Sequence, residues 1–273
     1  MFCCQCEQAA GGQGCTQEGM CGKSAEVSNL QDLLIYQLKG ISIYAMEFLK
    51  NGRLIPKEYI AFIENALIQT LTNVNFEPQD HLRMLETSGE LKEKIKAEWP
   101  ELKTDRSEAL YILGRTRSQI LKDTVIAGIW YDRTIDEEIR SLREAIKQGV
   151  KGIAAYSHQA RLLGLRDDRI DHFLCTALAA TTDASLSPAA LAALVLETGD
   201  KAALAIGLLN QANHQERKEA VRQDQTISTE TIVMAAKSGE IKRFFVLEAA
   251  MMFTKGEAVI LNVPRWFRHM SAS

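Results

Sequence analysis

The chain has 273 residues, of which 46% are hydrophobic and 25% charged, and its net charge at neutral pH is −3. That length supports one large domain or two modest ones with a substantial core, and the mild negative charge gives no basis for a nucleic-acid or anionic-membrane partner. No basic segment followed by an apolar run opens the sequence, and no stretch reaches the roughly eighteen apolar residues of a membrane span, so neither secretion nor membrane insertion is expected.

The first element is a cysteine-rich loop. Cys3, Cys6, Cys15 and Cys21 form a C-x2-C-x8-C-x5-C run within MFCCQCEQAAGGQGCTQEGMCGK, with Cys4 between the first two. Beyond residue 21 only Cys175 remains. Thiols gathered into one loop, rather than spread along the chain, point to a metal that needs soft ligands. Structural zinc favours two short-spaced knuckles, and only the first pair has that spacing. An iron–sulfur cluster is larger than one ion and suits ligands drawn from a longer wrapping loop. Gly11, Gly12, Gly14, Gly19 and Gly22 let such a loop bend tightly and bring N–H groups near the sulfurs. The spacing favours the cluster and leaves zinc and redox thiols open. Cys4 is expected to be a spectator, since adjacent side chains diverge. Cys175, in DHFLCTALAA, reads as a small buried hydrophobe. A thiolate-rich loop belongs in a reducing cytoplasm. Glu7 and Lys23 flank the loop and are expected to be solvated charges.

The rest reads as helix, poor in proline and rich in Ala, Leu, Glu and Lys. Ser28 is the expected N-cap of a helix carrying Leu30, Leu33, Leu34, Leu38, Ile41 and Tyr44 at helical spacing, ended by Asn51-Gly52. Pro56 opens the next helix. Further helices are predicted over 78–97, 105–129, 134–163 and 168–182, and over 188–210 from Pro188. Short polar connections between long helices predict antiparallel bundles. Asn73 and Asn75 are expected to serve the backbone, and His158 and Tyr156 to be core or surface residues rather than ligands. Near 212 the chain turns polar and reads as a linker or solvated helix. A short helix and a strand at Phe244–Leu247 are then predicted, followed by a loosely packed tail with Arg265, Trp266, Phe267, Arg268 and His269. The resulting fold class is mainly α: a cysteine-rich loop (1–25), a helical bundle domain (26–211), and a linker with a helix–strand remnant (212–273).

Several of these stretches occur together in one family. MFCCQCE at 1–7, MCGK at 20–23, LQDLL at 30–34, LTNVNF at 71–76 and KGIAAYSHQARLLG at 151–164 closely resemble the hybrid cluster proteins, also called prismane proteins or hydroxylamine reductases. The resemblance implies that Cys3, Cys6, Cys15 and Cys21 hold a cubane [4Fe–4S] cluster on the family's N-terminal helical domain. It further implies that two later domains, which carry an Fe–S–O hybrid cluster and reduce hydroxylamine or nitric oxide, have no counterpart here. No Ser-Gly-His-Asp, Gly-Glu-Met or second Cys-Gly-Lys segment is present.

TISTETIVMAAKSGEIKRFFV, at 226–246, resembles a later family segment that leads into Gly-Gly-Cys-Asp, but Leu247-Glu248-Ala249-Ala250 follow it here. An internal deletion and a frameshift after Val246 are therefore expected. The reading is a one-electron iron–sulfur carrier with no hybrid cluster, a redox partner protein, and self-association through apolar surface that other domains would cover. The alternative is a structural or partner-binding helical domain with zinc or no metal.

Overall fold

The computed structural model describes residues 1–99 and 103–222, with two short strands at Phe253–Thr254 and Glu257–Ala258. The described chain is mainly helical: α1 Ala25–Lys50, α2 Lys57–Gln69, α3 Pro78–Glu98, α4 Ser107–Leu110, α5 Arg117–Asp123, α6 Glu137–Leu162, α7 Asp168–Ala180 and α8 Pro188–Arg222. It divides into two units. One comprises Met1–His158 and Arg166–Ile206; the other comprises Gln159–Leu165 and Gly207–Ser273. In the second unit, β1 (Phe253–Thr254) pairs antiparallel with β2 (Glu257–Ala258), Phe253 opposite Ala258. The predicted helix and strand between 225 and 247, and the residues where the frameshift is expected, lie outside the described residues.

Helix α1 organises the first unit because its apolar residues are not confined to one stripe. Leu30, Leu33, Leu34, Leu38, Ile41 and Ala45 are fully buried, and α1 packs against α2, α3, α4, α5 and α7. A helix apolar on all sides is stable only inside a protein. Its start corrects the expectation at Ser28. The N-cap is Ser24, whose hydroxyl accepts from Val27 N at 3.2 Å. Ser28 already lies inside the ladder, its N–H donating to Ser24 O at 3.0 Å. Asn51 caps the C-terminus as expected, with Gly52 at φ +69°.

The predicted continuous helix over 105–129 is instead α4, an extended connection, α5, and a 3-10 turn at Thr124–Ala127. Two packing demands break it. Tyr111 leaves the helix at φ −59°, ψ 130°, and Thr116 starts a new one with a reciprocal capping box to Gln119. Arg106 secures the start of α4 to the end of α7, donating to Ala179 O and Thr182 Oγ1 and pairing with Asp183 at 2.8 Å. Short α4 then lies directly on α1: a Cβ at Gly40 would sit 2.2 Å from Glu108 O, and Tyr44 OH donates to Ala109 O at 3.2 Å.

Helix α2 ends at Gln69, earlier than the apolar run suggests. Thr70 Oγ1 donates back to Leu67 O at 2.7 Å, and Asn73 takes a left-handed conformation at φ +60°. Helix α8 is longer than predicted and continues to Arg222, so the polar stretch after 212 begins as helix. Gly40→Ala should destabilise the fold by about 1–3 kcal/mol, because the α1–α4 contact must open to admit the methyl group. Urea unfolding followed by circular dichroism checks this, and an unchanged midpoint would remove the close approach as a constraint.

Candidate metal centre

The cysteine loop is a small hairpin rather than a free end. Cys3 N–H donates to Cys15 O at 3.0 Å and Cys15 N–H to Cys3 O at 2.8 Å, so the first and third cysteines of the motif lie opposite each other. The chain turns between them through a 3-10 segment at Ala10–Gly12, with Gly11 at φ +60° and Gly12 at φ +71°. Gly14 is required twice over. Its φ of +118° disfavours a side chain, and a Cβ there would lie 2.7 Å from the Phe2 ring. A second turn carries Cys21, closed by Gly19 N–H donating to Lys23 O at 2.8 Å. Phe2 packs edge-on against Trp130 at 5.5 Å, which ties the start of the loop to the segment before α6.

All six cysteines are free. Cys15 is only 4% exposed; Cys3, Cys6 and Cys21 are half-buried, and Cys4 is exposed. The backbone N–H groups of Ala10 and Met20 favour the Cys15 thiolate and hold its pKa below the ordinary thiol value, with Lys23 acting in the same direction. Burial, then the charge of Glu144, raises Cys4. Cys175 is fully buried in α7, and burial pushes its thiol up to about 12, as befits a small hydrophobe. Among the described residues, no three or more His, Cys, Asp or Glu side chains are gathered closely enough to hold a metal ion.

The charges flanking the loop differ from each other. Glu7 is exposed, as expected. Lys23 is not solvated: it is 1% exposed, and its Nζ donates to Gln31 Oε1 at 2.7 Å. The Gly19–Lys23 turn folds the lysine back onto α1, whose core-facing side there presents Gln31.

Gln31 is the hub of a polar network that sequence reasoning missed. Its Nε2 faces Gln69 O at 3.3 Å, Asn75 O at 3.4 Å and His81 Nε2 at 3.1 Å. His81 Nδ1 lies 2.9 Å from Glu77 O, so Nδ1 carries the proton and Nε2 accepts from Gln31. Asn75 braces the same turn, donating to Gln69 Oε1 at 2.7 Å and accepting from Glu77 N at 2.8 Å. Asn75, accepting from Glu77 N, thus takes the backbone role expected of it.

A second buried amine reaches this turn. Lys151 of α6, 1% exposed, donates to Thr70 O at 3.2 Å. With its amide oriented to satisfy both neighbours, Gln5 donates to Thr70 O at 3.1 Å and accepts from Lys151 Nζ at 3.1 Å. In KGIAAYSHQA it is therefore Lys151, and Ser157 through its 2.6 Å bond to Glu64, that reach the core. Tyr156 is exposed and His158 half-buried. The available signal was a lysine lying one turn from Ala154 on the apolar stripe of Ile146, Val150 and Ile153. Beside the loop, a cavity of ≈ 10 Å³, room for about one water, is bounded by Cys3, Cys4, Asp32, Glu144 and Lys147. Burial raises the Asp32 carboxyl. Burial works against the Lys147 charge, yet the Glu144 and Asp32 carboxylates lift it above its ordinary value. Burial, reinforced by Lys147, lowers Lys151 to about 7.

Two outcomes follow for the metal-free protein. Iodoacetamide should modify Cys4 and leave Cys175 intact until the chain is unfolded, as read by peptide mass spectrometry. Lys151 should contribute a pH dependence of definite sign. Between its folded value near 7 and the ordinary lysine value of 10.5 the unfolded chain holds the extra proton, so stability rises with pH across that window. Urea unfolding of Lys151→Met should show a flatter rise than the wild type.

A family model described as Prismane/CO dehydrogenase family matches residues 1–228. The hydroxylamine reductase of Halothermothrix orenii is 41% identical over 220 residues, covering 78% of this chain and 40% of that protein. Those of Thermoanaerobacter pseudethanolicus, 41% identical over 217 residues, and Kosmotoga olearia, 39% identical over 224, likewise match 78% of this chain and 39% and 40% of their own lengths. The chain spans about 40% of the length of the relatives it matches.

Proposed function

The chain belongs to the Prismane/CO dehydrogenase family, and on that footing we propose that Cys3, Cys6, Cys15 and Cys21 hold one [4Fe–4S] cluster and that the chain carries single electrons. The observation that carries the reading is the environment of Cys15. Its sulfur is nearly buried, faces the N–H groups of Ala10 and Met20, and is favoured as thiolate by Lys23. N–H groups directed at a cluster sulfur are what stabilises its negative charge in a protein. A bound cluster supplies reversible one-electron chemistry. The residues of this chain supply the rest: the Cys3–Cys15 pairing opposes two ligands, the glycine turns bring up N–H groups, and Phe2 against Trp130 anchors the start of the loop.

The relatives are named hydroxylamine reductases. In the reading favoured here, the present chain corresponds to an electron-entry part of such a protein and does not assemble a hybrid cluster. Beyond residue 21 its sole cysteine is Cys175, fully buried in α7. Electrons would be exchanged with a redox partner protein, in a reducing cytoplasm that keeps six free thiols reduced. Among the described residues no helix is long and apolar enough to cross a membrane. Self-association would use the segment carrying Leu110, Ile112, Val125 and Tyr131, all more than half exposed.

Anaerobic reconstitution with iron and sulfide should yield about four irons and four sulfides per chain and an S = 1/2 EPR signal on reduction. Cys15→Ser should lose most of that iron, and Cys4→Ser should retain it. One zinc with no sulfide would sink the cluster reading in favour of a structural or partner-binding helical domain. Hydroxylamine turnover by this chain alone should be absent, and sedimentation should show species larger than the monomer.

A further inference from the structure

Both ends of the thiol loop are fastened to one short turn, Gln69–Asn75, by buried amines. At the far end, Lys23 Nζ donates to Gln31 Oε1 at 2.7 Å, and Gln31 Nε2 reaches Gln69 O and Asn75 O. At the near end, Gln5, between Cys4 and Cys6, shares Thr70 O with Lys151 Nζ and accepts from that amine at 3.1 Å. The two amines come from different elements, the loop itself and α6: Lys151 reaches a carbonyl of the seven-residue turn directly, and Lys23 reaches the turn through the Gln31 amide.

We propose that Lys23 and Lys151 are positioning residues that clamp the two ends of the loop on the Gln69–Asn75 turn and raise the electron affinity of the cluster held there. The proposal rests on the cluster reading above. Both amines are 1% exposed, and a buried ammonium is costly without a negative partner. Their hydrogen-bond acceptors are amide and backbone oxygens, which carry no net charge. Two carboxylates act on Lys151: Asp32, whose own carboxyl burial raises, and Glu144, ion-paired with Lys147, and together they offset its burial only in part.

Four cysteine thiolates about an iron–sulfur core leave a net negative charge, which reduction increases by one electron. Such an anion would add to that compensation. Reduction would take one electron from an external low-potential donor with no bond made or broken, and the added charge would be met by the buried amines of Lys23 and Lys151 in a low-dielectric interior. In the metal-free protein burial, reinforced by Lys147, lowers Lys151 to about 7, and a neighbouring anion would act in the opposite direction.

The test compares Lys23→Met and Lys151→Met with Lys23→Arg and Lys151→Arg in the full chain, reconstituted anaerobically with iron and sulfide. Iron and sulfide content and far-UV circular dichroism are measured first, then the midpoint potential by EPR-monitored titration with dithionite and mediators. Each Met variant should disfavour reduction by about tenfold or more, equivalent to about 59 mV for one electron, and each Arg variant should stay near the wild type. A loaded Met variant with the wild-type potential overturns the proposal. Iron lost from a Met variant that keeps its helical signal, and restored in the Arg variant, supports the clamp. Iron lost from both overturns it, since a packing role independent of charge would then suffice. Wild-type protein that takes up one zinc and no sulfide fails at the first measurement, which identifies the cluster reading as the faulty step.

Discussion

Helix α1 runs through the interior of the first unit with apolar residues on several of its faces, so the amide of Gln31, buried on it, has no water to turn to. Gln31, 1% exposed, meets that constraint by taking an amine on its oxygen and facing two carbonyls and an imidazole with its nitrogen. The amine belongs to the last turn of the thiol loop, the carbonyls to the turn after α2, and the imidazole to α3. One amide therefore sets where three elements meet. A buried amide left with unmet partners costs about 1–3 kcal/mol, and at Gln31 that cost helps hold the loop in place.

The loop reaches that position with little help from hydrophobic burial. Its geometry is backbone geometry: a two-bond pairing of Cys3 with Cys15, left-handed glycines at 11, 12, 14 and 22, and a turn closed between Gly19 and Lys23. Such a segment directs N–H groups inward at the sulfurs while leaving Cys4 outside. The aromatic contact of Phe2 with Trp130, over which the Arg140 guanidinium lies 4.8 Å from the ring centre, fixes the remaining side. Loop and bundle thus depend on each other through buried polar groups rather than through a shared apolar patch.

The differences between sequence expectation and fold have identifiable physical causes. Ser28 has the chemistry of an N-cap, but Ser24 caps because the chain is still extended there, at φ −68°, ψ 158°. The stretch 105–129 has helical spacing, yet contact with Gly40 and α7 breaks it. Lys23 and Lys151 look like surface charges in a list of residues, and only the convergence of α1, α2 and α6 encloses them. The second and third cases turn on neighbours distant in sequence, which local periodicity does not report.

From its sequence alone the chain disclosed a mainly helical body, a C-x2-C-x8-C-x5-C loop suited to soft-metal chemistry, an inert Cys175 and the family it belongs to. Those properties rest on residue type and spacing, which are local. Tertiary structure decided which thiol is buried, that Cys3 faces Cys15, and that two lysines and Gln31 join the loop to the Gln69–Asn75 turn. The reason is that burial and hydrogen-bond satisfaction are properties of a place in the fold. They become defined only when segments as far apart as residues 5, 31, 70 and 151 are brought within bonding distance.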